Sequence, residues 1–212
     1  MNTWELQQKI HDCIKENLHA GMTEKEIGEV ISGVCPDWRG DLISGERTAD
    51  IEGEPTERII KPGDTVLFDL QVYADGMWSD LTRVYFAGKP SEKQKTAYEA
   101  VKKAVSAGEN LLRPGTKGKD IWKTMREAIG SEFAFTHHGG HRIDKDNFYL
   151  APSFVPESED ELKAGEIITL EPAVYYPGEF GIRLENNYLI TEDGYERLCS
   201  LPMEISHYTV KG

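Results

Sequence analysis

The chain has 212 residues, a formal net charge of -13 at pH 7, a sequence pI near 4.9 and a mean hydropathy of -0.51. That length suffices for one domain with a sizeable core, and an acidic chain with no localised basic run argues against nucleic acid or an anionic membrane as a partner. The three cysteines, Cys13, Cys35 and Cys199, are widely spaced and odd in number, which fits reduced thiols better than a disulfide framework.

Met1 to Leu18 has neither a signal pattern nor a long apolar run, so a soluble, cytoplasmic protein is expected. Trp4, Ile10, Ile14 and Leu18 recur at helical spacing; Gly21 closes that helix, and Thr23-Glu24-Lys25-Glu26 opens another. Asp37 to Thr65, with Gly40, Gly45, Gly53, Pro55, Pro62 and Gly63, reads as loops with short strands. From Thr65 to Tyr73 a strand is expected, with Val66, Phe68, Leu70 and Val72 on a core face and Leu67, Asp69 and Gln71 on the other. The turn signal Asp75-Gly76 then folds back a partner strand carrying Asp80, which makes Asp69 and Asp80 direct or diagonal neighbours.

Ala97 to Leu112 reads as a counterpart of the first helix, with a second helix running through Ile121; the spacing from Gly115 to Ile121 equals that from Gly21 to Ile27. Thr136-His137-His138-Gly139-Gly140-His141 follows, and the acidic run Glu157 to Glu161 is most simply a solvated loop or helix start. Gly165 to Ile190 repeats the grammar of Gly63 to Gly88. A carboxylate comes six residues after the glycine (Asp69, Glu171), then a Val-Tyr pair, then a second carboxylate beyond a turn (Asp80, Glu185). Pro177-Gly178-Glu179 centres that second turn so that Glu171 and Glu185 lie opposite, with Arg183 two residues away on the same face. Tyr195 to Leu198 reads as a last edge hairpin, and residues 199 to 212 carry no signal.

Two helices and a hairpin, given twice, predict an α+β fold. It has a curved, mostly antiparallel sheet with helices on its outer face, and halves at about 1–90 and 95–190 related by a pseudo-two-fold axis. Four converging carboxylates repel by about 4 kcal/mol per pair at 4 Å and an effective dielectric near 20. Two divalent ions would balance them, with an imidazole from the 137–141 run; oxygen donors with one imidazole suit Mn, Co, Fe or Zn, with Mn favoured. Alone, an Asp hairpin is usually a solvated face and a His cluster usually structural; the repeated pattern makes the metal reading the better one.

At these residues the chain resembles the pita-bread metallohydrolases, which include methionine aminopeptidase, Xaa-Pro aminopeptidase, prolidase and creatinase. The motifs are GDTVLFD and SDLTR around the two Asp, Gly140-His141, LEPAVY around Glu171 and GIRLEN around Glu185. The resemblance implies the pita-bread fold as a single domain over 1–212, without the separate N-terminal domain of prolidases. It also implies the metal ligands Asp69, Asp80, His141, Glu171 and Glu185, with Asp80 and Glu185 bridging two ions. The implied activity is a dinuclear metal-dependent hydrolase, in which Glu171 moves protons, Arg183 orients the carboxylates and His137 stands near the substrate. His138 matches no family position and reads as structural.

Two departures bear on substrate. A family histidine before the Pro-Thr-x-Arg run is replaced by the Glu52-Gly53-Glu54 stretch, and another after His141 by Phe148-Tyr149. A small-molecule or short-peptide substrate is expected, with a homodimer as the assembly considered. The alternatives are a creatinase-like or lyase-type enzyme acting on a small non-peptide substrate, and a non-catalytic binding module.

Overall fold

Leu6, Ile10 and Ile14 fall a helical turn apart. In the computed structural model of the protein, which describes every residue except 132 and 134, they form the buried stripe of α1 (Thr3–Asn17). An Asn2–Glu5 capping box starts this helix. Gln7 Nε2 donates to the Leu70 carbonyl at 2.6 Å and Thr3 Oγ1 to the Val72 carbonyl at 3.0 Å, which pins α1 across the first hairpin. Helix α2 (Glu24–Val34) starts on a Thr23–Glu26 capping box. It turns the Glu24 carboxylate inward, where Ser44, Thr56 and Arg47 satisfy it and so tie down the loop after residue 44.

β1 (Arg39–Ser44) runs antiparallel to β2 (Thr65–Ala74), which pairs with β3 (Met77–Ala87). The turn signal holds: Asp75 and Gly76 both take positive φ, 51° and 77°, as a two-residue turn of matching twist requires. Asp80 stands opposite Gln71 and diagonal to Asp69. The strand is buried on both faces from Thr65 to Val72, because α1 covers one and the second half of the chain the other.

The second half repeats the order of two helices and a hairpin. α3 (Glu92–Glu109) begins ahead of Ala97 because Ser91 and Gln94 form a capping box, and α4 (Gly118–Ile129) runs past Ile121. Strands β4 (His141–Ile143), β5 (Leu150–Ser153), β6 (Ile167–Leu170), β7 (Ala173–Tyr176), β8 (Phe180–Arg183), β9 (Asn186–Ile190) and β10 (Tyr195–Arg197) follow.

Among the described residues the strands form three hydrogen-bonded sheets: β1 to β3 with a parallel edge from β11 (Thr209–Val210), the order β10-β9-β6-β4-β5, and β7-β8 alone. The second hairpin keeps one register, with Leu170 opposite Asn186 and Ala173 opposite Arg183, but its ladder lapses between them. Pro172 has no N–H to give, and the flanking donors turn outward. Glu171 N–H bonds the Gly139 carbonyl at 2.9 Å, and Glu185 N–H bonds the Thr82 carbonyl at 3.1 Å. The lapse therefore draws the histidine segment against one glutamate and β3 against the other.

Arg83 locks this junction from behind. Fully buried, it donates from Nη1 to the carbonyls of Thr82 (2.8 Å) and Glu185 (2.6 Å), and from Nε to Tyr208 Oη (2.9 Å). Residues 199 to 212, silent in sequence, thus supply a buried partner to the junction. Among the described residues no helix is long and apolar enough to cross a membrane.

Candidate metal centre

The junction brings Asp80, Glu171 and Glu185 of the expected ligands around the His141 imidazole, while Asp69 is held by Arg183 and Gln71. His141 Nε2 lies 3.6 Å from Asp80 Oδ2 and 3.4 Å from Glu171 Oε1. Its other nitrogen, Nδ1, donates to the Arg142 carbonyl at 3.3 Å, which fixes the tautomer that leaves a lone pair on Nε2. Gly140, at φ 148°, lets the chain pass close enough to aim this ring, since a Cβ there would strike the Thr169 carbonyl. Thr169 Oγ1 then accepts from His141 N–H at 3.1 Å and donates to Glu171 at 3.3 Å.

Glu185 receives Thr82 Oγ1 on Oε2 at 2.9 Å, while its Oε1 is buried with no partner. A carboxylate oxygen so placed needs a cation or a proton. Asp80, His141 and Glu185 each offer a ligand atom within 4.8 Å of the others, all three residues being buried. The donor set of carboxylates and one imidazole, ending on this orphaned oxygen, fits a divalent ion such as Mn, Co, Fe or Zn.

Arg183 joins the expected ligands to the other residues. It donates to Asp69 Oδ2 at 2.6 Å, to Tyr175 Oη at 2.9 Å and to the Ile51 carbonyl at 2.9 Å. Tyr175 Oη in turn meets His137 Nε2 at 2.9 Å, and His137 Nδ1 donates to the His138 carbonyl at 2.6 Å. Both nitrogens of His137 are therefore taken by the protein. A cavity of about 140 Å³ opens here, lined by Asp41, Glu52, His137, His138, Glu171 and Arg183 among others.

His138 does not play the structural part expected of it. Its Nδ1 stands 3.3 Å from Glu171 Oε1 without hydrogen-bond alignment. Tyr149, of the Phe148-Tyr149 stretch, packs on both His141 and His138 at centroid distances of 4.7 and 5.3 Å. Phe148 packs instead on Trp78. Asp41, Gln71, Thr82 and Tyr175 were also not singled out from sequence. The one available signal was strand parity, which puts Gln71 on the face of Asp69.

Burial first, then the charges of Asp69 and Glu171, push the Asp80 carboxyl well above its usual range. Burial, then Asp80 and Glu171, do the same to Glu185. Glu171 goes the other way: burial raises it, but the contact and charge of His138, then His141 and His137, bring it down to about 2. Of these imidazoles only His138 is moved toward its charged form. Burial lowers His137 to about 4 and also lowers His141, whereas Glu171 holds His138 above its ordinary value against the cost of burial.

The sequence profile described as Metallopeptidase family M24 matches residues 2–192. An Xaa-Pro dipeptidase of Pyrococcus furiosus is 31% identical over 211 residues, 95% of this chain and 60% of its own length. An uncharacterized peptidase of Staphylococcus haemolyticus is 33% identical, over 93% of this chain and 60% of its own. Among solved structures, the X-Pro aminopeptidase of Thermotoga maritima superposes with a TM-score of 0.90 at 28% identity, covering 98% of this chain and 60% of that one. The prolidase of Pyrococcus horikoshii gives 0.90 at 28%, covering 96% and 61%. The chain thus spans about 60% of the length of these relatives.

Proposed function

Because the chain belongs to metallopeptidase family M24, we propose that it is a divalent-metal-dependent hydrolase acting on a short peptide or similarly small amide. The observation that carries this is the buried, partnerless Glu185 Oε1, set among Asp80, Glu171 and the bare Nε2 of His141. A bound ion would lower the pKa of a water and polarise the carbonyl it attacks.

The other parts of the reaction fall to the chain's own residues. Glu171, ionised at neutral pH, takes the proton of the attacking water and passes it to the leaving group. His138 and Thr169 hold its Oε1 in place. Arg183 orients Asp69 and, through Tyr175, His137, so that this wall of the cavity is preset before substrate arrives. Tyr149 covers the edge of His141 and keeps bulk water from it.

Substrate size follows from the cavity. At about 140 Å³ it lies far below the several hundred Å³ of a drug-sized site, which favours one small residue or a small non-peptide amide. With aromatic and acidic groups where two family histidines would stand, cleavage of Xaa-Pro and Met-Xaa peptides is expected to be weak. Steady-state assays of the metal-loaded protein on both peptide classes and on small amides test this. A kcat/KM of about 10⁴ M⁻¹s⁻¹ or more on either peptide class would restore an ordinary aminopeptidase or dipeptidase; failure to bind any divalent ion would remove the hydrolase altogether.

A further inference from the structure

We infer that the centre holds one divalent ion per chain, because the side-chain amide of Gln71 occupies the carboxylate oxygens that a second ion would need. This rests on the metal-dependent reading above and refines it. Asp69, the residue expected to complete a second ion, has both oxygens engaged. Oδ2 accepts from Arg183 at 2.6 Å, and Oδ1 accepts from Gln71 Nε2 at 2.9 Å. The same Nε2 donates to Asp80 Oδ1 at 2.8 Å.

The β2–β3 register makes this arrangement unavoidable. Gln71 is the cross-strand partner of Asp80 and lies two residues from Asp69, so the three side chains leave the sheet from one patch. An amide that faces two carboxylates presents its NH₂, not its carbonyl. Its carbonyl end rests over Gly40, where an added Cβ would come within 2.7 Å of Gln71 Oε1. The side chain is 8% exposed and bounded by Gly40 behind and the carboxylates ahead.

The atoms left over describe a single position. Asp80, His141 and Glu185 each offer a ligand atom close to the other two, and Glu185 Oε1 has no protein partner. Glu171 Oε1 stands beside them, 3.4 Å from His141 Nε2, but also meets Thr169 and His138, whereas Asp69 belongs to neither cluster of mutually close ligand atoms among the described residues. Three donors on one ion, with Glu171 beside them, leave room for a water, the arrangement of a catalytic rather than a structural site. Against Asp69, the charge of a second ion is replaced by Arg183 and the dipole of the Gln71 amide.

The experiment is metal stoichiometry of the intact chain, not activity. Wild-type protein, Gln71→Gly and Gln71→Ala are stripped with chelator and dialysed against excess Mn²⁺. Elemental analysis then gives ions per chain, and electron paramagnetic resonance separates isolated Mn²⁺ from exchange-coupled pairs. One isolated ion in wild type, rising twofold with a coupled signal in at least one correctly folded variant, is expected. Two coupled ions in wild type, or one ion in both folded variants, overturns the inference while leaving a metal-dependent hydrolase in place. No ion in any of the three overturns the hydrolase reading as well. Should both variants misfold, the wild-type count and spectrum still decide.

Discussion

Asn187 pairs with Asp80 as a neighbouring strand would. Its side-chain Oδ1 accepts from the Asp80 N–H at 3.1 Å, and its Nδ2 donates to the Asp80 carbonyl. One side-chain amide thus stands in for the ladder that is missing between two sheets, at the residue whose carboxylate faces His141. Asn187→Ala leaves a buried N–H and a buried carbonyl unpaired at about 1–3 kcal/mol each. We expect a loss of about 2–4 kcal/mol in urea unfolding; a change within 0.5 kcal/mol, the usual range for a surface substitution, would show the pair to be dispensable.

Removal of metal should lower thermal stability, since an ion that binds only the folded state adds about 2.7 kcal/mol when present at a hundredfold excess over its Kd. Asp80→Ala and Glu185→Ala should abolish most of the shift in Tm on adding Mn²⁺, together with most of the bound ion. Asp75→Ala, in the exposed turn, should retain both. Equal losses in all three variants would refute the placement of the ligands.

His138→Ala removes the imidazole beside Glu171 while leaving all five expected ligands in the chain. General acid–base assistance is typically worth 10²- to 10⁴-fold, and we expect kcat on whichever substrate is turned over to fall by about 10², with Mn²⁺ occupancy unchanged. Lost occupancy with a proportional loss of rate would make His138 a ligand instead.

His11 offers a pH test far from the centre. It is buried in the core, and burial, then the charges of Arg83 and His207, hold it well below its ordinary value. The unfolded chain therefore binds a proton that the folded chain refuses, so stability is lost as pH falls below about 6.5, by about 1.4 kcal/mol per unit. His11→Gln should flatten the difference between pH 7 and pH 5 relative to wild type. Parallel pH profiles for the two proteins would contradict the assignment.

The carboxylates were legible because parity and turn chemistry are local. The two-residue turn signalled by Asp75-Gly76 puts Asp69 and Asp80 on one face, and Glu171 and Glu185 were equidistant from Pro177-Gly178-Glu179. The lapse of the second ladder at Pro172 was not legible, since proline alone does not say where the freed donors of Glu171 and Glu185 go; they go to Gly139 and Thr82, residues distant in sequence. The same limit hid His138, which is one more histidine in a run until the 136–141 segment docks on Glu171. Gln71 was visible on the right face, but its partners depend on cross-strand register, and a one-residue slip would have turned it away.

Arg83 carries an implication for handling the protein. Its guanidinium bonds the carbonyl of the residue that holds Glu185 and the carbonyl of Glu185 itself, and it is completed by Tyr208 near the C-terminus. A protease cut after Leu198 that releases the C-terminal segment would leave this buried cation short of its Tyr208 partner, beside the Glu185 carbonyl that it also holds. Extensions are better tolerated at Met1, which is 64% exposed.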